Sequence, residues 1–226
     1  DGTPRTEITV DQIREMSARL ALASQFGGWQ VVRIDPADAM NAAAANALLK
    51  TLEEPGQDTL LILLADAPWR LPQTIRSRCQ RIEFALPERA AALAWLERQG
   101  VAQGEDALAA AGGNPGLALV WAGDGALERR RSVRKDLAAL AAGRGEAGAM
   151  AGAWLQDEPA QRLWFAAQAV NDELQARARR AAPPVGSSMD EEALADWYRA
   201  ANQAREALRG PLRADLLLVE LLARWH

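Results

Sequence analysis

Histidine and cysteine are nearly absent from this chain of 226 residues. The one cysteine is Cys79, and the one histidine is the last residue, His226. A single cysteine excludes a disulfide framework within the chain and any metal site built from several cysteines. With one histidine, histidine-based acid–base catalysis and His-rich metal sites are nearly excluded as well. We therefore expect no metal site in these residues.

Long apolar runs and an excess of positive charge are also missing. No apolar run reaches the length needed to span a membrane, and no secretion signal is visible. The formal net charge is −4, so the molecule as a whole offers no positive field to nucleic acid. We expect a cytoplasmic protein whose contact with DNA, if any, is local or shared with partners.

Alanine and leucine dominate the composition, whereas there are one tyrosine and three phenylalanines. This balance favours a mostly helical protein. A capping box at Thr9 and Gln12 predicts the start of a first helix. The chain is long enough for one large domain or for two to three small ones.

The first third of the chain alternates strands and helices. Strands are predicted over Trp29–Asp35, over the almost wholly apolar Thr59–Asp66 and over Gln80–Phe84, and Asn41 should cap a helix through Glu54. This alternation predicts a parallel sheet covered by helices. With only three strands the sheet looks incomplete, so we expect part of this domain to precede residue 1.

After Pro87 the pattern is helical. The sequence predicts a linker-like loop at Pro183–Ser188. Helices are predicted over residues 88–99, 106–111, 115–122, 126–142, 146–156, 159–182, 189–209 and 211–226. The last of these is apolar around much of its circumference, so we expect it to be buried in a bundle or against neighbouring subunits.

The segment Thr74–Cys79 concentrates unusual chemistry. It holds Arg76 and Arg78, hydroxyl groups on either side of Arg76, and the single cysteine. The planar, permanently charged guanidinium suits phosphate, yet no glycine-rich phosphate loop occurs in these residues. Arg78 is therefore either a surface or ion-paired arginine, or a group offered to a nucleotide on a neighbouring chain.

Three segments together resemble one family. In order, Val31–Asp35, Asn46–Pro55 and Thr74–Cys79 resemble motifs of bacterial clamp-loader ATPase-like subunits. The resemblance implies an α/β plus all-α architecture of the AAA+ type. Its parts would be a partial parallel-sheet base at residues 1–87, a helical lid at 88–123 and a helical collar for oligomerisation at 124–226.

The resemblance also implies roles for individual residues. In this family an arginine of a Ser-Arg-Cys motif completes the ATP site of the adjacent subunit. Arg78 would be that trans-acting arginine finger, and Thr74 would occupy the sensor-1 position. The remaining motif or interface residues would be Ser77, Cys79, Lys50, Glu53 and Glu54.

Two departures from the family pattern indicate which kind of subunit this is. ATP-hydrolysing relatives have an acidic residue after the strand-end aspartate, where this chain has Pro36 after Asp35. Relatives that sense nucleotide through the lid have an arginine where this chain has Pro115. The resemblance then implies a stator that does not hydrolyse ATP and is no enzyme by itself, although it is a component of the DNA polymerase III holoenzyme.

The implied cofactors and partners follow from that role. ATP would be bound by the neighbouring subunit, and the zinc-binding cysteine cluster common in this family would lie upstream of residue 1. The partners would be the motor (gamma/tau) and delta subunits through the collar, and the sliding clamp and primer-template DNA through the assembled complex. The alternatives are a motor subunit whose phosphate loop is cut away, and a purely structural helical scaffold.

Other polar and aromatic features have plainer interpretations. The basic run Arg129–Arg131 with Arg134 and Lys135 is predicted to be a solvated helix face, with contact to DNA or an acidic partner as the alternative. Arg76 is predicted to be a supporting or DNA-facing charge, and Cys79 a small buried residue. Tryptophans in helices are predicted to be core or interface anchors; they are Trp95, Trp121, Trp154, Trp164, Trp197 and Trp225.

Overall fold

The computed structural model describes residues 7–22, 27–208 and 213–225. Its contacts divide the chain into two compact units, Asp1–Phe84 and Ala85–His226. The first unit contains the α/β part and the second is helical. The finer division of the helical part into a lid and a collar remains a prediction.

In residues 7–22 and 27–84 the first unit has three helices and two parallel strands. Its elements are α1 (Val10–Leu20), β1 (Gln30–Ile34), α2 (Ala42–Glu53), β2 (Thr59–Leu63) and α3 (Gln73–Arg76), with short 3-10 turns at Ala37–Ala39 and Pro68–Arg70. The strands pair in parallel with Gln30 opposite Thr59 and Ile34 opposite Leu63.

The predicted helix starts of this unit are confirmed. The backbone N–H of Thr9 donates to Oε1 of Gln12 at 2.9 Å, which completes the capping box of α1. The side chain of Asn41 accepts the backbone N–H of Ala44 at 2.8 Å and caps α2. Both contacts satisfy backbone donors that the first helical turn leaves unpaired.

The core of this unit forms on one face of the two-stranded sheet. Ile13, Ile34, Leu48 and Ile75 are buried there together. The apolar second strand also predicted a sheet with helices on both faces, and this is wrong for the described residues. Alternate side chains of the strands are exposed, because successive residues of a strand point to opposite faces; they include Val31 (59% exposed), Leu60 (44%) and Ile62 (38%).

The predicted third strand at Gln80–Phe84 is also wrong. These residues form no strand, and Ile82 and Phe84 are 71% and 91% exposed. A strand needs a neighbour to take up its backbone hydrogen bonds. Within the part of the chain that the structure describes, β1 and β2 pair only with each other. The segment with Ile82 and Phe84 is therefore not paired with either strand.

In residues 85–208 and 213–225 the second unit has helices and no strands. Its helices are α4 (Arg89–Arg98), α5 (Gly104–Ala110), α6 (Pro115–Gly123), α7 (Ala126–Ala141), α8 (Ala147–Gln156), α9 (Pro159–Ala178), α10 (Glu191–Ala207) and α11 (Ala214–Ala223). All eight predicted helices are present with shifted ends. Residues 209–212 and 226, including Leu212 and His226, lie outside the described residues.

Two of these ends have a clear local cause. The helix α9 ends at Ala178 rather than at residue 182, and Arg180 takes a left-handed conformation with φ of 55°. The backbone N–H of Ala181 donates to the carbonyl of Ala176 at 2.8 Å, the reverse hydrogen bond that closes a helix with a left-handed residue at its end. Between α5 and α6, Gly112 and Gly113 have φ of 62° and 89°, a region that glycine adopts without steric cost.

The helical unit is organised around two apolar clusters. One lies among α4, α5 and α6 and includes Leu96 and Leu108. The larger one involves α7 to α11 and includes Leu137, Phe165 and Leu194. In α11, Leu218, Leu221 and Leu222 are buried, whereas Leu216 is 58% and Val219 37% exposed.

Three of the predicted tryptophan anchors are buried in the larger cluster, and each indole N–H has an acceptor. Trp154 donates to Oδ2 of Asp136, Trp197 to the carbonyl of Leu221 and Trp225 to the carbonyl of Leu137, at 2.8–2.9 Å. Burying an indole without such a partner costs free energy. Trp95, Trp121 and Trp164 are half-buried.

Glu173 is the one fully buried acidic residue among the described residues and fixes the loop between α9 and α10. Its carboxylate accepts the backbone N–H of Val185 at 2.9 Å and of Gly186 at 3.3 Å. It also pairs with Arg177, whose guanidinium donates to the carbonyl oxygens of Ser187 and Met189. The linker-like segment is thereby tied to α9 by charge-assisted hydrogen bonds.

No helix of the described residues is both long enough and apolar enough to cross a membrane.

We expect Glu173→Ala to lower the free energy of unfolding by about 2–4 kcal/mol, because it leaves the buried N–H of Val185 without its acceptor and Arg177 without its carboxylate partner. Urea unfolding followed by circular dichroism measures the change. Glu97→Ala, at an exposed position of α4, should change the unfolding free energy by less than about 0.5 kcal/mol. Equal effects of the two substitutions would contradict the role given to Glu173.

Candidate functional site

The predicted arginine segment lies on a short helix that the core holds in place. Leu71 and Ile75, at 8% and 1% exposure, anchor the turn that contains α3. The backbone N–H of Arg78 donates to the carbonyl of Ile75 at 3.0 Å and continues this turn. Arg78 therefore does not stand at the entrance of a strand, because the strand predicted at Gln80–Phe84 does not form.

The guanidinium of Arg78 is held by its own chain from two sides. Its Nε donates to Oε1 of Glu53 at 2.8 Å, and Nη2 lies 2.5 Å from the same oxygen. Its Nη1 donates to the carbonyl of Thr74 at 2.9 Å and to the hydroxyl of Ser77 at 3.4 Å. The side chains of Arg78 and Glu53 are 35% and 50% exposed, so this ion pair lies at the surface.

Glu53 reaches Arg78 from the last residue of α2. This helix is fixed by the buried Leu48 and by a hydrogen bond between the hydroxyls of Thr51 and Ser17 at 2.8 Å. The two charged partners are 25 residues apart in the sequence, so no local spacing links them. The sequence singled out both residues but gave no signal that they touch.

The other predicted site residues divide into two groups. Thr74 and Ser77 contact Arg78 directly, and the Ser77 hydroxyl also donates to the carbonyl of Thr74 at 3.2 Å. Lys50 and Glu54 are exposed at the same end of α2.

Cys79 is half-buried and packs against the core of the first unit. Burial raises the pKa of its thiol, because the charged thiolate is disfavoured away from water. The neutral thiol is a poor nucleophile. The surroundings of Cys79 therefore fit a packing residue.

The arginines of the basic run are largely engaged within the chain. Arg129 donates to Asp157 at 2.8 Å, Arg131 lies 3.2 Å from Glu128, and Arg134 pairs with Asp172. Burial, and next the charge of Arg134, lower the pKa of Arg130. Of this run only Arg131 and Lys135 are exposed, so little of its charge is offered to an external polyanion.

Other charges of the first unit are exposed or paired locally. Arg76 is exposed, and Arg33 lies 3.7 Å from Asp35. One carboxylate oxygen of Asp38 is buried with no hydrogen-bond partner. Across residues 7–22, 27–208 and 213–225, no three His, Cys, Asp or Glu side chains converge in a way that could hold a metal ion.

The match to a known family model covers the residues of the first unit and a few beyond it. Residues 2–88 match the family model described as "DNA polymerase III, delta subunit". The DNA polymerase III subunit delta' of Pseudomonas aeruginosa is 45% identical over 130 residues, which are 56% of this chain and 40% of the relative. The resemblance of this part of the chain to delta-prime subunits is thereby confirmed.

Two further comparisons are more distant or shorter. The DNA polymerase III subunit tau of Bacillus subtilis is 41% identical over 75 residues, which are 33% of this chain and 13% of the relative. A solved gamma subunit-related protein of Thermotoga maritima covers 98% of this chain and 80% of its own, with 16% identity and a TM-score of 0.48. That score is too low to support the fold by itself. The matches to the curated relatives span less than half of their length.

The ion pairs of Asp157 should make the stability of the fold depend on pH. Its hydrogen bonds from Arg129 and then Arg162 lower its pKa below the usual value. A carboxyl with a lower pKa in the folded state stabilises the fold above the unfolded-state pKa of about 4, and this contribution is lost as the pH falls through the folded-state pKa. Asp157→Asn should therefore lower the urea midpoint at pH 7, and its difference from the parent should shrink below about pH 4.

The comparison for this pH profile is Asp196→Asn, which removes an exposed partner of Arg199. Its urea midpoints should follow those of the parent across the whole range. A deficit of Asp157→Asn that stays constant from pH 7 to pH 3 would contradict the assignment.

We expect Cys79 to react slowly with iodoacetamide, because burial raises its pKa and limits access to the sulfur. At pH 7.5 the alkylation rate of the folded chain should be at least about tenfold below that of the urea-unfolded chain. Mass spectrometry follows the reaction without interference, since Cys79 is the only thiol. Equal rates in the folded and unfolded chains would show that Cys79 is accessible and reactive.

Proposed function

We propose that this chain is part of a stator subunit of the replicative clamp loader that does not hydrolyse ATP. In this proposal Arg78 is an arginine finger for ATP bound by a neighbouring motor subunit. The observation that carries the proposal is the fixed guanidinium of Arg78 at the surface of the first unit, within the residues that match the delta subunit family.

The chemistry of a guanidinium suits this role. Arg78 carries a permanent charge on a planar group, and such a group can stabilise the negative charge that spreads over a transferring phosphoryl group. Its surroundings are partly exposed, so a phosphate on another chain can reach it. Thr74, at the proposed sensor-1 position, and the motif residues Ser77 and Cys79 lie in the same short segment.

The proposed stator role rests on two substitutions of expected functional residues. Pro36 follows Asp35 after β1, and a proline side chain can neither bind magnesium nor accept a proton. Pro115 is the first residue of α6, where its fixed φ suits the helix start, and Asn114 caps that helix. A helix-start proline in the place of a lid arginine supports a subunit that does not sense its own nucleotide.

The proposed partners are other clamp-loader subunits. We place the motor and delta subunits against the helical unit, with the sliding clamp and primer-template DNA contacted through the assembled complex. The exposed Leu216 and Val219 of α11 support an apolar contact there. The proposed location is the cytoplasm, where such a complex would meet the chromosome.

A structural scaffold is the second candidate, and the ion pair of Arg78 with Glu53 favours it. In a scaffold Arg78 would serve only to join α2 to the turn after α3. The two proposals differ in one measurable respect. A scaffold tolerates the loss of Arg78 without a change in ATP hydrolysis by its neighbours.

We expect Arg78→Ala, in the full-length subunit within a reconstituted clamp loader, to abolish most hydrolysis at the adjacent ATP site. Arginine fingers accelerate phosphoryl transfer by about 10³–10⁵-fold, so single-turnover hydrolysis at that site should fall by at least about 100-fold. Stopped-flow release of phosphate measures this rate, with the other ATP sites inactivated by substitution.

The matched control is Arg19→Ala, which removes another exposed arginine of the first unit that pairs with a glutamate, Glu15. A clamp loader that contains this variant should hydrolyse ATP at the adjacent site at the parent rate. If Arg78→Ala also keeps the parent rate while the complex assembles normally, the finger proposal is wrong and the scaffold is supported.

A further inference from the structure

Three acceptors of its own chain bind the guanidinium of Arg78. A guanidinium has five N–H groups in one plane. The edge formed by Nε and Nη2 faces Oε1 of Glu53, and Nη1 is used by the carbonyl of Thr74 and the hydroxyl of Ser77. Nη2 has a second N–H, which the fixed geometry of the group directs away from the Glu53 edge.

This arrangement contributes little to the stability of the fold. Both side chains of the pair are substantially exposed, and exposed ion pairs contribute little because water screens them and their side chains lose freedom. Leu48 and Ile75, which are buried, already fix the two backbone segments. The main effect of the contact is therefore to restrict the orientation of the Arg78 side chain.

An arginine side chain without partners samples many rotamers at a surface. Here one carboxylate and one backbone carbonyl hold the guanidinium from different elements, α2 and α3. Glu53 is well suited to this because α2 is a regular helix with a capped start and a buried face. A catalytic group that is already oriented loses less freedom when its target arrives.

We infer that Glu53 is a positioning residue for Arg78, which orients the guanidinium before a neighbouring nucleotide is bound. This inference rests on the proposed function of Arg78. The carbonyl of Thr74 and the hydroxyl of Ser77 hold the other side, and the second N–H of Nη2 is the donor that would meet the phosphate. Glu53 acts through Arg78 and does not touch the nucleotide.

The main alternative is that Glu53 inhibits Arg78. Glu53 could withdraw Arg78 from the phosphate by occupying one edge of its guanidinium. Removing a competing carboxylate would then accelerate hydrolysis, whereas removing a positioning carboxylate slows it. The direction of the change therefore separates the two.

The experiment compares Glu53→Ala, Glu53→Gln and Arg78→Ala in the full-length subunit within the reconstituted clamp loader. For Glu53→Ala we expect the single-turnover rate at the adjacent ATP site to fall by about 5- to 100-fold, with unchanged affinity for ATP, because orientation and not binding is lost. Glu53→Gln keeps an oxygen acceptor of the same reach and should recover most of this rate. Thermal unfolding of each variant subunit checks that the fold is intact.

Two controls make the result specific. Glu15→Ala removes the carboxylate of the exposed pair with Arg19 and should keep the parent rate. Glu53→Ala combined with Arg78→Ala should be no slower than Arg78→Ala alone, since Glu53 acts only through Arg78.

The possible failures are distinguishable. A faster reaction, or an unchanged one, in Glu53→Ala alongside a slow Arg78→Ala would overturn the positioning role and leave the finger in place. A parent rate in Arg78→Ala would overturn the proposed function and the role of Glu53 together. A further loss in the double variant would show that Glu53 acts by another route.

Discussion

The burial of Leu48 and Ile75 in one apolar core is the constraint on which the candidate site depends. Leu48 fixes α2 and Ile75 fixes the turn of α3, and both side chains are almost completely removed from water. Because both segments share a core with β1, the end of α2 is brought next to the turn after α3. The surface pair of Glu53 and Arg78 is a consequence of this packing. A weak, exposed ion pair alone would not bring two segments together.

The helical unit follows a different principle, in which buried polar groups are matched to specific backbone atoms. Its buried tryptophans combine large apolar surfaces with one hydrogen bond each. Glu173 fixes the loop between α9 and α10 by accepting two of its backbone N–H groups. Apolar area stabilises the bundle in a general way, whereas these polar contacts select one arrangement of its connections. The segment after α9, which is linker-like in composition, is therefore held in place.

Much of the local structure could be predicted from the sequence because its causes are local. The capping box at Thr9 and the Asn41 cap involve residues three apart, and their hydrogen bonds form as expected. The third strand failed for the opposite reason. A strand is stable only beside another strand, and the apolar residues Ile82 and Phe84 carry no information on whether a neighbour is present. The second strand begins at Thr59 as predicted but ends at Leu63 and not at Asp66. Its burial was predicted wrongly, since cover on a sheet face is a property of other segments.

The sequence by itself determined the helical character, the positions of most helices, and the short list of residues in which function was sought. It did so because helix periodicity, caps and motifs act over a few positions. Only the tertiary structure decided that Arg78 is bound to Glu53, that the basic run is mostly paired internally, and that one face of the two-stranded sheet is exposed. The pairs Arg78–Glu53, Arg129–Asp157 and Arg134–Asp172 join residues about 25 to 40 positions apart, and these partners are chosen by which apolar faces pack together. The composition of the segments that carry them does not specify that choice.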